Sequence, residues 1–189
     1  MKGLLPFIFM ASKKNRVRSG FLRIIPFKLK AGIAVAFTVL ALAGGDRFLS
    51  GRVIEVADGD SLTVYSSPGQ KIRVRLYGVD SPESGQAGGE EAGAFCRSLA
   101  LYRQVKVKVL SGDQYGRSVA VLTLPDGRVL NEEMVRHGHA WVYTRYCKES
   151  DCRGWKRLEN EARSKKQGLW KRPNPQPPWQ WRKKHGRRR

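Results

Sequence analysis

From Arg52 onward the chain alternates apolar and polar positions in short runs separated by turn residues. Residues 52–56, 62–65, 71–77, 105–109 and 118–124 are each rich in β-branched side chains, and this predicts five short strands. The third alternates strictly, with Ile72, Val74 and Leu76 on one face and Lys71, Arg73, Arg75 and Tyr77 on the other. The fourth sets Lys106 and Lys108 opposite its valines. Ser67-Pro68-Gly69 reads as the hairpin turn joining the second strand to the third. Helical spacing follows in three places. Ala92, Phe95, Leu99 and Tyr102 form one stripe behind Glu90 and Glu91, acids that suit a helix N-terminus. Asn131 is expected to cap a short second helix that ends at Gly138 and turns Met134 and Val135 inward. A third helix is expected over residues 151–168, with Trp155, Leu158, Ala162 and Leu169 on one face. The stripes read as core and carry no chemistry.

Five short strands with a helix between the third and fourth is the order of an OB-type Greek-key barrel, an α+β and mainly β fold with three helices. An SH3-like barrel or a sandwich satisfies the same strand count, because counts do not fix pairing. The expected division is a basic N-terminal region over 1–43, a barrel domain over 44–170 and a tail over 171–189.

The two ends change how the charge is read. The chain carries 36 Lys/Arg against 16 Asp/Glu, a formal +20. Eight of the bases precede residue 44 and eight follow residue 170, with no acid in either stretch, so the central domain is only +4. An apolar run over residues 31–45 follows Lys28 and Lys30, the charge order of an export signal, and Ala41-Leu42-Ala43 offers small residues for cleavage before Gly44. The expected location is therefore outside the cytoplasm, in the periplasm or cell envelope or secreted. The alternative is an uncleaved anchor, although the run is short against the ~20 residues of a membrane span. From Pro173 the chain has too many prolines for a helix and too little apolar surface for a core, and is expected to be disordered. Its Lys and Arg residues, interleaved with Trp179 and Trp181, suit contact with nucleic acid or an anionic membrane surface; plain solvation accounts for them equally well. Among the three cysteines, Cys147 and Cys152 are close enough in sequence to bridge, and Cys96 reads as a small buried hydrophobe. His137 and His139 with those cysteines match no common zinc spacing.

The candidate chemistry lies in the turns. Asp58-Gly59-Asp60 opens a strand, and Asp80-Ser81-Pro82-Glu83 follows the alternating third strand. Either would pass for ordinary turn chemistry. Arg75 leaves the third strand on its polar face, and Arg117 arrives from the turn Asp113-Gln114-Tyr115-Gly116 that opens the fifth. Two arginines beside Asp60, Asp80 and Glu83 can handle both a divalent cation and a phosphodiester.

These pieces together resemble the staphylococcal nuclease (thermonuclease) family. The matching segments are IEVADGDSLTV (54–64), IRVRLYGVDSPES (72–84), DQYGRSVAVL (113–122), VLNEEMVRHGHAWVY (129–143) and ENEARSKKQGLW (159–170), in family order. The resemblance implies a five-stranded OB barrel with three helices and a Ca²⁺-dependent monomer that hydrolyses DNA and RNA to 3′-phosphate ends. It implies Asp60 and Asp80 as carboxylate ligands of the metal and Ser81 as a backbone-carbonyl ligand. It further implies Glu83 as general base and Arg75 and Arg117 as the arginines on the scissile phosphate. Tyr115, Tyr143 and Tyr146 are candidate substrate contacts, with packing as their alternative role. Two departures stand out: the loop 84–89 is shorter and less basic than in the secreted prototype, and Gln114 replaces a lysine. The competing expectation is an OB-fold module at the cell envelope that binds nucleic acid without cutting it.

Overall fold

The computed structural model describes residues 47–66, 69–147 and 150–186. The export or anchor segment and residues 67 and 68 of the expected hairpin turn lie outside these residues. Among the described residues no helix is long and apolar enough to cross a membrane.

Five strands close into a barrel: β1 (Arg47–Val56), β2 (Ser61–Ser66), β3 (Gln70–Leu76), β5 (Gln104–Gly112) and β6 (Ser118–Thr123). The order around the barrel is β1-β2-β3-β6-β5, with β3 and β6 parallel and every other pair antiparallel. Closure through one parallel pair resolves the topology that the strand count had left open, in favour of the OB type. Alternation builds the core: Val53, Leu62, Val64, Val74, Leu76, Val105, Val107, Ala120 and Leu122 all point inward and are buried. Strand β1 starts at Arg47, five residues earlier than its β-branched stretch indicates, because its first half pairs with β5 from Arg47 to Arg52. A register shift between Val53 and Glu55 then re-phases the strand against β2, so that Val56 also faces the core.

Helix α1 (Gly89–Ala100) follows the two-residue strand β4 (Val79–Asp80) and covers the barrel with Ala92, Cys96 and Ala100. Helix α2 (Leu130–Arg136) buries Leu130, Met134 and Val135. Asn131 departs from its expected capping role. It lies inside α2, fully buried, and its side-chain oxygen accepts from Leu122 N (3.1 Å) while its amide donates to Tyr77 O (3.0 Å) and Ala120 O (3.2 Å). A buried amide satisfied on both sides in this way ties the helix to the barrel where β3 leaves β6. Strand β7 (Trp141–Val142) pairs with β4, and helix α3 (Ser150–Ser164) packs behind it. Glu159, fully buried on α3, accepts from Val142 N (2.9 Å), Lys156 Nζ (3.0 Å) and Arg163 Nε (3.0 Å). Cys147 and Cys152 are joined as a disulfide, and Cys96 is a buried thiol whose pKa burial pushes up to about 12.

The tail differs most from expectation. Residues 173–186 are ordered against the barrel, and a fourth helix, α4 (Pro178–His185), forms despite the prolines. The prolines precede the helix or open it, where a fixed φ and a missing N–H cost nothing. Trp179 packs on a small second core of Trp141, Ala162, Leu169 and Trp170.

Candidate active site

Register delivers the first half of the site. In the β2–β3 hairpin Ser61 lies opposite Arg75, and Leu76 N donates to Asp60 O (2.8 Å), so Asp60 sits beside the end of β3. Gly59 permits a further approach: a Cβ there would stand 2.6 Å from Ser81 Oγ, so the turn can lie directly against the segment after β4. Ser81 N donates to Asp60 Oδ2 (2.6 Å), and Ser81 Oγ donates to His139 O (2.9 Å).

Pairing of β4 with β7 delivers the second half. Asp80 lies opposite Trp141, and Tyr143 N donates to Gly78 O (2.8 Å). Asp60 and Asp80, separated by 20 residues in the chain, therefore converge on one guanidinium. Arg75 Nη1 lies 3.0 Å from Asp60 Oδ2, and Arg75 Nη2 lies 2.8 Å from Asp80 Oδ1. Nη1 also donates to Val79 O (2.9 Å). Burial holds the Asp60 carboxyl well above the usual carboxylate range; Arg75 opposes this, while Asp58 and Asp80 reinforce it.

Glu83 and Arg117 stand further out. Arg117 is held by Asp113 (Nε to Oδ2, 2.8 Å) and donates to Ser61 Oγ (3.2 Å), whose hydroxyl in turn donates to Asp60 Oδ1 (3.2 Å). Tyr115 lies under the Arg117 guanidinium, which is 5.6 Å from the ring centroid. The Glu83 side chain is 35% exposed, and its link to the rest of the site is a residue absent from the expected set. Arg182 of α4 donates through Nη1 to Glu83 Oε1 (2.8 Å) and Asp80 Oδ1 (3.1 Å), and through Nη2 to Asp80 Oδ2 (2.8 Å). Tyr143 packs edge-on against Tyr146, with centroids 5.0 Å apart, and lies parallel to Trp179 at 5.2 Å. The sequence signal for Arg182 and Trp179 is the basic, tryptophan-bearing tail, but nothing in its spacing points to Asp80.

No cluster of three or more His, Cys, Asp or Glu side chains suited to a metal ion occurs among the described residues. The donors present, two buried carboxylates among main-chain oxygens, fit a hard cation that completes its shell with carbonyl and water oxygens and do not fit a thiolate or imidazole metal.

A closed OB barrel with a carboxylate pair and arginines at one end defines a class of protein equipped to handle phosphate esters. The chain belongs to the staphylococcal nuclease family: residues 73–172 match the family model described as "Staphylococcal nuclease homologue". A protein of Escherichia coli O157:H7 named "Uncharacterized endonuclease" is 40% identical over 134 residues, covering 71% of this chain and 85% of its own length. The "Micrococcal nuclease" of Shigella flexneri is 40% identical over 141 residues, covering 70% and 80% respectively. "Protein ParB" of Escherichia coli is 36% identical over 169 residues, covering 85% and 94%.

Proposed function

We propose that the chain is a phosphodiesterase that cuts DNA and RNA internally, uses Ca²⁺ and leaves 3′-phosphate ends. The observation that carries this reading is the convergence of Asp60 and Asp80 on Arg75, with Glu83 and Arg117 at the edge of the same cluster. Two desolvated carboxylates side by side repel each other, and their mutual burial favours a positive charge between them. Asp60 and Asp80, with the Ser81 carbonyl, are the residues that would hold the cation, which supplies Lewis-acid polarisation of a phosphate oxygen. Arg75 and Arg117 offer planar forks of donors to the phosphate, and those contacts strengthen as charge gathers on its oxygens. Glu83, partly exposed, orients the attacking water or takes its proton while the P–O5′ bond breaks. Tyr115, Tyr143 and Tyr146 border the nucleotide. Export across the cytoplasmic membrane accords with the apolar run at 31–45 and with the disulfide.

The test is cleavage of DNA and RNA by the purified protein with Ca²⁺ and with chelator, alongside Glu83→Gln and Arg117→Lys. Chelator-sensitive cleavage that both substitutions suppress is expected. Binding of nucleic acid without any cleavage would favour the non-catalytic module.

A further inference from the structure

The tail occupies the site that the catalytic reading needs open. Arg182 engages both oxygens of Asp80 and one of Glu83, and its own side chain is only 18% exposed. Burial opposes its charge, but hydrogen bonds and attraction from Asp80 and Glu83 outweigh that penalty and raise its pKa above the ordinary arginine value. Asp80 thus carries two guanidiniums, Arg75 on Oδ1 and Arg182 on both oxygens. On the same helix, three residues earlier, Trp179 lies flat on Tyr143, with ring planes 3° apart.

We propose that α4 is an autoinhibitory strap. Arg182 acts as the chain's own cation on Asp80 and Glu83, Trp179 takes the stacking face of Tyr143, and the helix must leave before a divalent cation and a nucleotide can engage.

The seating of the helix suits release. Among the described residues α4 makes no main-chain hydrogen bond to the barrel. Its approach is pinned by Gln86 Nε2 donating to Gln176 O (2.6 Å) and by an Arg172–Glu91 pair (2.8 Å). A cleft of about 590 Å³ is lined on one side by residues 174–177, Gln180 and Lys184 and on the other by Trp141, Arg163 and Trp170. Lys183 and Lys184 follow Arg182 on the same helix and are exposed, so a polyanionic strand would attract the helix. A divalent cation and a guanidinium compete for the same oxygens, so each weakens the other by the same factor.

This inference rests on the cation reading above, and the experiment separates the two. Calorimetry with Ca²⁺ alone compares the full chain with R182Q, and tryptic cleavage after Arg182, Lys183 and Lys184 is timed with and without Ca²⁺. R182Q is expected to bind Ca²⁺ roughly tenfold more tightly, since the competent fraction of sites rises. In the unsubstituted chain, Ca²⁺ is expected to speed tail cleavage several-fold. Equal affinity in the two proteins together with Ca²⁺-independent tail cleavage would overturn the strap and leave the cation reading intact. Weaker Ca²⁺ binding by R182Q would overturn it in favour of an arginine that supports the site. Absence of Ca²⁺ binding by both proteins would overturn the strap and the cation reading together.

Discussion

Arg75 and Arg182 reach the same carboxylate, and the regions that carry them are built differently. Arg75 is the penultimate residue of β3, a strand paired to β2 through six residues and to β6 through three, and its Nη1 is further bound to Val79 O. Arg182 sits on an eight-residue helix held by side-chain contacts. Moving the main chain that carries Arg75 means opening the barrel, whereas moving Arg182 means breaking three charge-assisted hydrogen bonds at a partly open surface. One region is architecture and the other is an attachment, although both put a guanidinium within 3.1 Å of Asp80. The difference shows that proximity to the site does not define a residue's part in it; the cost of moving the residue does.

Substitutions can break or sharpen that contrast. The largest expected effect is on turnover. Arg75→Lys loses the planar fork and should lower turnover by two or three decades, about 3–4 kcal/mol of transition-state stabilisation, with a much smaller change in substrate affinity. Single-turnover kinetics on a defined oligonucleotide measures this, and near-wild-type turnover would remove Arg75 from the chemistry.

Stability comes next. Asn131→Ala removes a buried side-chain hydrogen bond from each of Leu122 N, Tyr77 O and Ala120 O, and should cost about 2–3 kcal/mol in denaturant unfolding. Trp179→Ala on the attached side should cost about 1 kcal/mol or less, close to the value of an aromatic pair at a surface. If Trp179→Ala proved as damaging as Asn131→Ala, the tail would be part of the barrel's architecture and the contrast would fail.

A further effect is pH-dependent. Burial lowers the His139 pKa from 6.5 to about 4, with the neighbouring His137 acting in the same direction. The unfolded chain then binds a proton that the fold refuses, so stability is complete above about 6.5 and declines as pH falls toward 4. His139→Gln should flatten the melting temperature across that window.

Much of the fold was legible from local pattern. Alternation marked the five barrel strands, and the apolar stripes marked three helices, because burial of one face imposes a period of two on a strand and 3.6 on a helix. The order of Asp60, Arg75, Asp80, Glu83 and Arg117 also pointed to one cluster. Asn131 was misread because an Asn before an apolar run looks the same whether it caps a helix or reaches across to another strand. The tail was misread because its prolines and charges satisfy the composition of disorder, while its order rests on Trp179 finding Trp141 and Arg182 finding Asp80, residues 38 and 102 positions away.

By itself, then, the sequence determined the strands, the family and the inventory of reactive groups, since each depends on residues that are neighbours in the chain. Only the tertiary structure decided that β3 and β6 run parallel to close the barrel, that Asp60 and Asp80 share one guanidinium, and that Arg182 lies on the same carboxylate. Those are long-range pairings, and their energies depend on desolvation and geometry that exist only once distant segments meet.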